Sequence, residues 1–149
     1  MVALSVALHE GCCKFLDQAE ATAMLAAMEL VFYPAGTEIF KKGDPADCLY
    51  LLTAGRVAVQ NKTGFGERRQ VIALLDPGAP VGEKGLLGSG VRGATVTAVQ
   101  DSELLILDHE SFAKLAGDHP VLAIKVLQWL LHRVSLRLEK SSERLVHVL

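Results

Sequence analysis

The 149 residues predict a mainly β fold with flanking helices: an antiparallel β-roll, of the jelly-roll or double-stranded β-helix kind. Three observations carry this. The middle of the chain is cut into short apolar or β-branched runs by closely spaced turn signals, PAG, KKGDPAD, AG, TGFGE, DPGAP and GSG. Both ends have little of that punctuation and are rich in strong helix formers. Half of the residues are hydrophobic but only 5% aromatic, so aliphatic side chains must build the core, and a chain of this length can close one without staples. A single domain, residues 1–149, follows. Its parts are an N-terminal helix over about 14–30, a β-roll over 31–108 and C-terminal helices over 109–149.

Taken in order, KFLDQAEATAMLAAMEL at Lys14–Leu30 has helical composition. Phe15, Leu16, Ala19, Ala23, Met24 and Ala27 are spaced to share a face. Strands are predicted at Ile39–Lys41, Leu49–Thr53, Arg56–Asn61, Arg69–Leu75, Thr95–Val99 and Glu103–Asp108. A short helix follows at Ser111–Ala116 and is interrupted at Gly117–Asp118–His119–Pro120. Asp118 or His119 then caps a second helix with Pro120 in its first turn, running through Arg144. Its apolar positions, Leu122, Ile124, Val126, Leu127, Trp129, Leu130, Leu131, Val134, Leu136 and Leu138, wrap more than one face. Such a helix needs two partners: the β-roll and, most simply, a second copy of the chain.

Composition excludes several function classes. A formal net charge of −2 argues against a nucleic-acid binder that relies on a strongly basic field. His132, Arg133, Arg137, Lys140 and Arg144 make the late helix basic, which reads as a solvated face. Cys12, Cys13 and Cys48 form neither a disulfide framework nor a CxxC zinc pair, and read as reduced thiols. His9, His109, His119, His132 and His147 are scattered. A β-roll with clustered histidines would suggest a metal-dependent cupin enzyme, but HxH and HExxH are absent. No catalytic grouping of Ser, His, Asp or Cys stands out. The expectation is a protein that is not an enzyme and holds no metal or cofactor. MVALSVALHEGCC has no basic n-region and is broken by His9 and Glu10. Val121–Leu131 falls short of the about 20 apolar residues that span a bilayer. A soluble, cytoplasmic protein is expected.

The segment that carries chemistry is PGAPVGEKGLLGSGVRGATVTA, Pro77–Ala98. Gly82, Gly85, Gly88, Gly90 and Gly93 let backbone N–H groups converge on an anion. Arg92 offers a planar fork for two phosphate oxygens. Glu83 supplies an acceptor for sugar hydroxyls, which a site for an anion alone would not need.

That segment resembles the phosphate-binding cassette of the cyclic nucleotide-binding domain family, which includes the catabolite activator protein, the regulatory subunits of cAMP-dependent kinase and cyclic-nucleotide-gated channels. The family pattern is roughly Phe-Gly-Glu-(Met/Leu)-Ala-Leu, a short variable stretch, then Pro-Arg-(Ala/Ser/Thr)-Ala-Thr. YPAGTEIFKKGDPADCLYLLTAGRVAV resembles the family's first strands, and VQDSELLILDHESFAKLAGDHP its last strand and hinge. The resemblance implies that Glu83 takes the ribose 2′-hydroxyl and Arg92 the cyclic phosphate. Backbone N–H groups near Gly82, Gly85 and Gly93 complete the cradle, with Lys84, Leu86 and Ala94 in the same cassette. Four positions depart from the pattern: Val81, Lys84, Gly85 and Val91. Lys84 either aids the anion or ties up Glu83, and Gly85 costs about 1 kcal/mol relative to Ala if it is helical.

The implied function is a non-enzymatic cyclic nucleotide receptor that signals by repacking its C-terminal helix. Gly93, where members preferring cGMP often carry Thr, leans the ligand towards cAMP, with cGMP the other candidate. An ungapped reading places Arg137 and Leu138 where the family's helix covers the base. Stacking by Arg137 would be worth about 1–3 kcal/mol; a solvated Arg is the other reading. Implied partners are a second copy, through the C-terminal helix, and a downstream protein. No recognition helix follows before Leu149, so no DNA contact is expected, and the chain either acts through a partner or is part of a longer polypeptide. The alternative is a degenerate member in which Glu83 and Arg92 merely pair, serving as a dimerisation or protein-interaction module.

Overall fold

The computed structural model describes residues 2–62 and 68–148; the TGFGE turn at 63–67 lies outside them. Eight strands follow one another: β1 (Glu29–Tyr33), β2 (Glu38–Phe40), β3 (Cys48–Ala54), β4 (Val57–Lys62), β5 (Arg69–Leu75), β6 (Pro80–Val81), β7 (Thr95–Ala98) and β8 (Ser102–Asp108). They make two antiparallel four-stranded sheets, ordered β1-β8-β3-β6 and β2-β7-β4-β5. Apart from the β4–β5 hairpin, consecutive strands lie in opposite sheets, so the chain winds as a β-roll.

Period-two alternation in β3 and β8 divides the core. Cys48, Tyr50, Leu52 and Leu104 point between the sheets, where they meet Val57, Val81 and Val96. Leu49, Leu51, Leu105 and Leu107 point the other way, into a second cluster covered by helices. β3 is therefore buried on both faces, which explains its unbroken apolar run CLYLL. Each fully buried Leu contributes about 1.5–3 kcal/mol.

Four α-helices supply the cover: α1 (Val2–Glu10), α2 (Gln18–Ala26), α3 (His109–Asp118) and α4 (Pro120–Val148). The N-terminal helix is shorter than predicted because Asp17 and Glu20 form a reciprocal capping box that starts α2 after Phe15 and Leu16. At the other end, Glu29 and Leu30 pair with Ile106 and Leu105 of β8, so β1 begins inside the predicted helix. The buried face of α2 is Ala21, Met24 and Leu25, and Ala19 is exposed. Phe15 instead stacks on Trp129 of α4, ring centroids 5.3 Å apart. The predicted 111–116 helix grows to α3 because the Asp108 side chain accepts from Ser111 N–H at 2.6 Å and caps it. The chain breaks at His119, and Pro120 opens α4. Among the described residues no helix is long and apolar enough to cross a membrane.

Candidate functional site

Gly82, at φ +68, turns the chain out of β6 into a short 3-10 helix, Glu83–Leu87, which Gly88 ends at φ +69. A Cβ at Gly82 would lie 2.4 Å from Arg92 Nη1, and one at Gly88 2.4 Å from the His109 ring. Both glycines are thus required by backbone sign and by space. Gly85 has ordinary φ, yet a Cβ there would sit 1.8 Å from the Cys48 carbonyl oxygen. The departure at Gly85 is therefore not a helix-propensity cost but the condition for seating the cassette on β3.

Arg92 is held from the opposite side. The predicted KKGDPAD turn lies beside its backbone: Arg92 N–H donates to Asp44 O at 2.8 Å, and Gly43 N–H to Arg92 O at 2.9 Å. Its side chain is only 3% exposed. Nη1 donates to Gly82 O at 2.9 Å and Nη2 to Cys48 O at 2.7 Å. The guanidinium carbon lies 4.3 Å from the centre of the Phe40 ring. Among the described residues no carboxylate pairs with Arg92, and its buried Nε has no partner. Burial raises the pKa values of the neighbouring Cys48 thiol and Tyr50 phenol, so both stay neutral and the guanidinium is the only charge among these buried neighbours.

Glu83 does not pair with Arg92. Its Oε1 meets Arg137 Nη1 of α4 at 3.0 Å, while Arg137 Nη2 also donates to Pro80 O at 3.2 Å. Glu83 Oε2 is buried and has no partner among the described residues. Lys84 leaves Glu83 alone and donates to Val91 O at 3.1 Å, closing the variable loop on itself.

Gly82, Glu83, Lys84, Arg92, Gly93, Ala94 and Arg137 line one cavity of about 220 Å³. Two predicted site residues stay off its wall. Gly85 packs against Cys48, and Leu86 is buried in the helix-side cluster with Phe112 and Leu115. Leu87 and Leu138 are exposed. Sequence reasoning missed the cavity's apolar wall, Phe40, Val59, Leu75, Val81 and Val96. Alternation along β4 and β7 is the signal that could have found Val59 and Val96. The cavity thus sets an unpaired cation and a carboxylate with a free oxygen against an apolar wall, which suits a small molecule with an anionic end and hydroxyl groups.

Metal-ligand clusters of three or more His, Cys, Asp or Glu residues are absent among the described residues. His9 and His109 bond instead to the carbonyls of Leu16 and Leu86.

Residues 30–119 match the cyclic nucleotide-binding domain family. The chain is 38% identical over 102 residues to the cyclic AMP receptor protein of Thermus thermophilus, covering 68% of this chain and 47% of that one. It is 32% identical over 106 residues to the cAMP-dependent protein kinase regulatory subunit of Dictyostelium discoideum, covering 70% and 32%. Among solved structures, a cyclic nucleotide-binding domain from Methylobacillus flagellatus KT superposes with TM-score 0.82 at 26% identity, covering 88% of this chain and 73% of that one. Fold, cassette and matches agree: the chain belongs to the cyclic nucleotide-binding domain family, a family of regulatory domains. Its match spans about half and a third of the two curated relatives' lengths.

Proposed function

We propose that this chain is a receptor for cAMP, in which Arg92 binds the cyclic phosphate and Glu83 the ribose 2′-hydroxyl. The observation that carries the reading is the Arg92 guanidinium, almost wholly buried and, among the described residues, without a carboxylate partner. A buried cation is costly unless an anion meets it. The partnerless Arg92 Nε and Glu83 Oε2 are the donor and acceptor that a ribose cyclic phosphate would satisfy. Gly93, whose missing side chain faces open space, favours cAMP over cGMP on the family pattern.

The signal would leave through α3 and α4. At about 220 Å³ the cavity is smaller than the about 300–1,000 Å³ of typical ligand sites, so nucleotide entry requires Arg137 to leave Glu83 and turn towards the base. Leu86 packs with Phe112 and Leu115, and its carbonyl accepts from His109 Nδ1 at 2.9 Å. A shift of the cassette is thereby felt by α3. The output follows only from a ligand preference for the rearranged state.

The working form is a homodimer through α4. Ile124, Leu127, Leu131, Val134, Leu138 and Leu145 are exposed and recur at alternating intervals of three and four residues, with Ser141 standing at one skipped position. That is the heptad seam of a coiled coil, on a face the β-roll leaves uncovered.

Titration calorimetry with cAMP and cGMP on wild type and Arg92→Ala tests the proposal. The expected result is 1:1 binding with cAMP preferred, and at least about a hundredfold loss in the variant, from two charge-assisted bonds at about 1.5–3 kcal/mol each. No heat with either nucleotide, in a protein that still dimerises, would leave the degenerate interaction module.

A further inference from the structure

We propose that Cys12 and Cys13, in the connection between α1 and α2, form a hydroperoxide-reactive dithiol site that closes to a reversible disulfide between adjacent residues. The proposal does not depend on nucleotide binding. The two sulfurs lie 3.7 Å apart, and all three cysteines of the chain are free thiols. Their settings differ. Cys12 is half-buried and opens on a groove of about 780 Å³, lined also by Leu8, Leu75, Gly78 and Arg133. Cys13 is 0% exposed in the helix-side core. Two carboxylates share the groove, Asp76 paired with Arg56 at 3.0 Å and Glu103 accepting from Thr53 Oγ1 at 2.9 Å, and Arg133 is the cation on its wall.

The chemistry follows from that asymmetry. The contact between the two sulfurs, in which either can donate, holds the Cys12 thiol below its ordinary pKa; burial opposes this and the Arg133 charge adds a smaller lowering. The same contact with Cys12, and then its own burial in the core, push the Cys13 thiol the opposite way. Cys12, facing the groove, is therefore the more readily ionised sulfur and the attacking one, and Cys13, in the core, is the resolving one. A partly exposed thiol in contact with a second, resolving thiol is an arrangement that oxidants select.

The Cys12 thiolate attacks one peroxide oxygen. The S–O bond forms, the O–O bond breaks, and the leaving hydroxide or alkoxide takes up a proton. The Cys13 sulfur then attacks the Cys12 sulfenic acid; the S–S bond forms, the S–O bond breaks, and the departing hydroxide takes the Cys13 proton to become water. The two thiols lose two electrons and two protons, and the peroxide is reduced by the same two electrons. Adjacent Cα atoms are about 3.8 Å apart, closer than the about 4.4–6.8 Å of ordinary disulfides. A bond forced into that spacing is strained and readily reduced, so the product is reversible.

The test uses the whole chain, a small excess of hydrogen peroxide, then blocking of free thiols, trypsin and mass spectrometry. The expected product is the Met1–Lys14 peptide lighter by two hydrogens, formed at least about tenfold faster than any change at Cys48 and restored by dithiothreitol. In Cys13→Ser, dimedone should trap a sulfenic acid at Cys12; in Cys12→Ser, Cys13 should stay reduced. Unchanged Cys48 reactivity verifies that each variant is folded. Oxidation of Cys48 as fast as of Cys12 in the wild type, or of Cys13 at the wild-type rate in Cys12→Ser, overturns the proposal.

Discussion

Glu83, the carboxylate of the cassette, is tied to Arg137 of the last helix by a salt bridge of 3.0 Å. The bridge joins two residues 54 positions apart, one in the cassette beside the cavity and one on the long C-terminal helix. Both side chains are partly exposed, and such pairs contribute only about 0–1 kcal/mol. A contact this weak can be exchanged for a nucleotide without unfolding anything.

Removing it should therefore imitate the ligand. Arg137→Ala, without nucleotide, is expected to move α4 amide resonances towards their positions in cAMP-saturated wild type, with stability changed by less than about 1 kcal/mol. If the variant kept the wild-type α4 spectrum and still responded fully to cAMP, the bridge would not be the relay.

Glycines in the cassette should divide by what stands next to them. Gly85→Ala would drive a methyl into the Cys48 carbonyl, 1.8 Å away, and the backbone must shift to admit it. A loss of about 1–3 kcal/mol is expected, lowering the melting temperature by about 2–4 °C per kcal/mol. Gly93 has nothing within 4 Å and no positive φ, so Gly93→Ala should melt with the wild type. Gly93→Thr should be as stable and should raise affinity for cGMP relative to cAMP. Equal melting of Gly85→Ala and Gly93→Ala would contradict the packing argument.

Much of the fold is legible because short β-runs and Gly/Pro turns are local signals. Six predicted strands lie within about two residues of those observed. β1 was hidden because Glu29 and Leu30 close a helix-forming run, the remaining VFY is too short to stand out, and pairing with β8 is what makes the five residues a strand. β6 was hidden by its two-residue length and its proline. At the site, the cassette order placed Glu83 and Arg92, but their partners lie far along the chain. Cys48 and Phe40 meet Arg92 across 44 and 52 positions, and no spacing rule reaches that far. The role of Gly85 was misread for the same reason: its neighbour is a carbonyl of β3, which composition cannot reveal.

The start of α2 should respond to pH. Asp17 accepts from Glu20 N–H at 2.7 Å, and this bond holds its carboxyl below the ordinary range, with Lys125 helping. A depressed folded pKa means that the stabilisation is complete above the ordinary carboxylate range and lost as pH falls through the folded value. The difference in melting temperature between wild type and Asp17→Ala should be full at neutral pH and shrink on acidification. A difference independent of pH would mean that the charge plays no part in the cap.

The uncovered seam on α4 makes the last prediction. Leu131 is 68% exposed in the single chain, midway along the Ile124–Leu145 repeat. An exposed Leu on a monomer costs little, but six aliphatic side chains at heptad spacing make a stripe that water disfavours. A second α4 packed along it would bury that stripe, whereas Asp at position 131 would place a charge in the seam with no counter-ion. Sedimentation equilibrium should therefore find wild type dimeric at micromolar concentration and Leu131→Asp monomeric. Because Leu131 is not among the core residues, far-UV circular dichroism and the melting of the β-roll should survive the substitution. A wild type that sediments as a monomer, or a Leu131→Asp variant that stays dimeric, would place the self-association surface elsewhere or remove it.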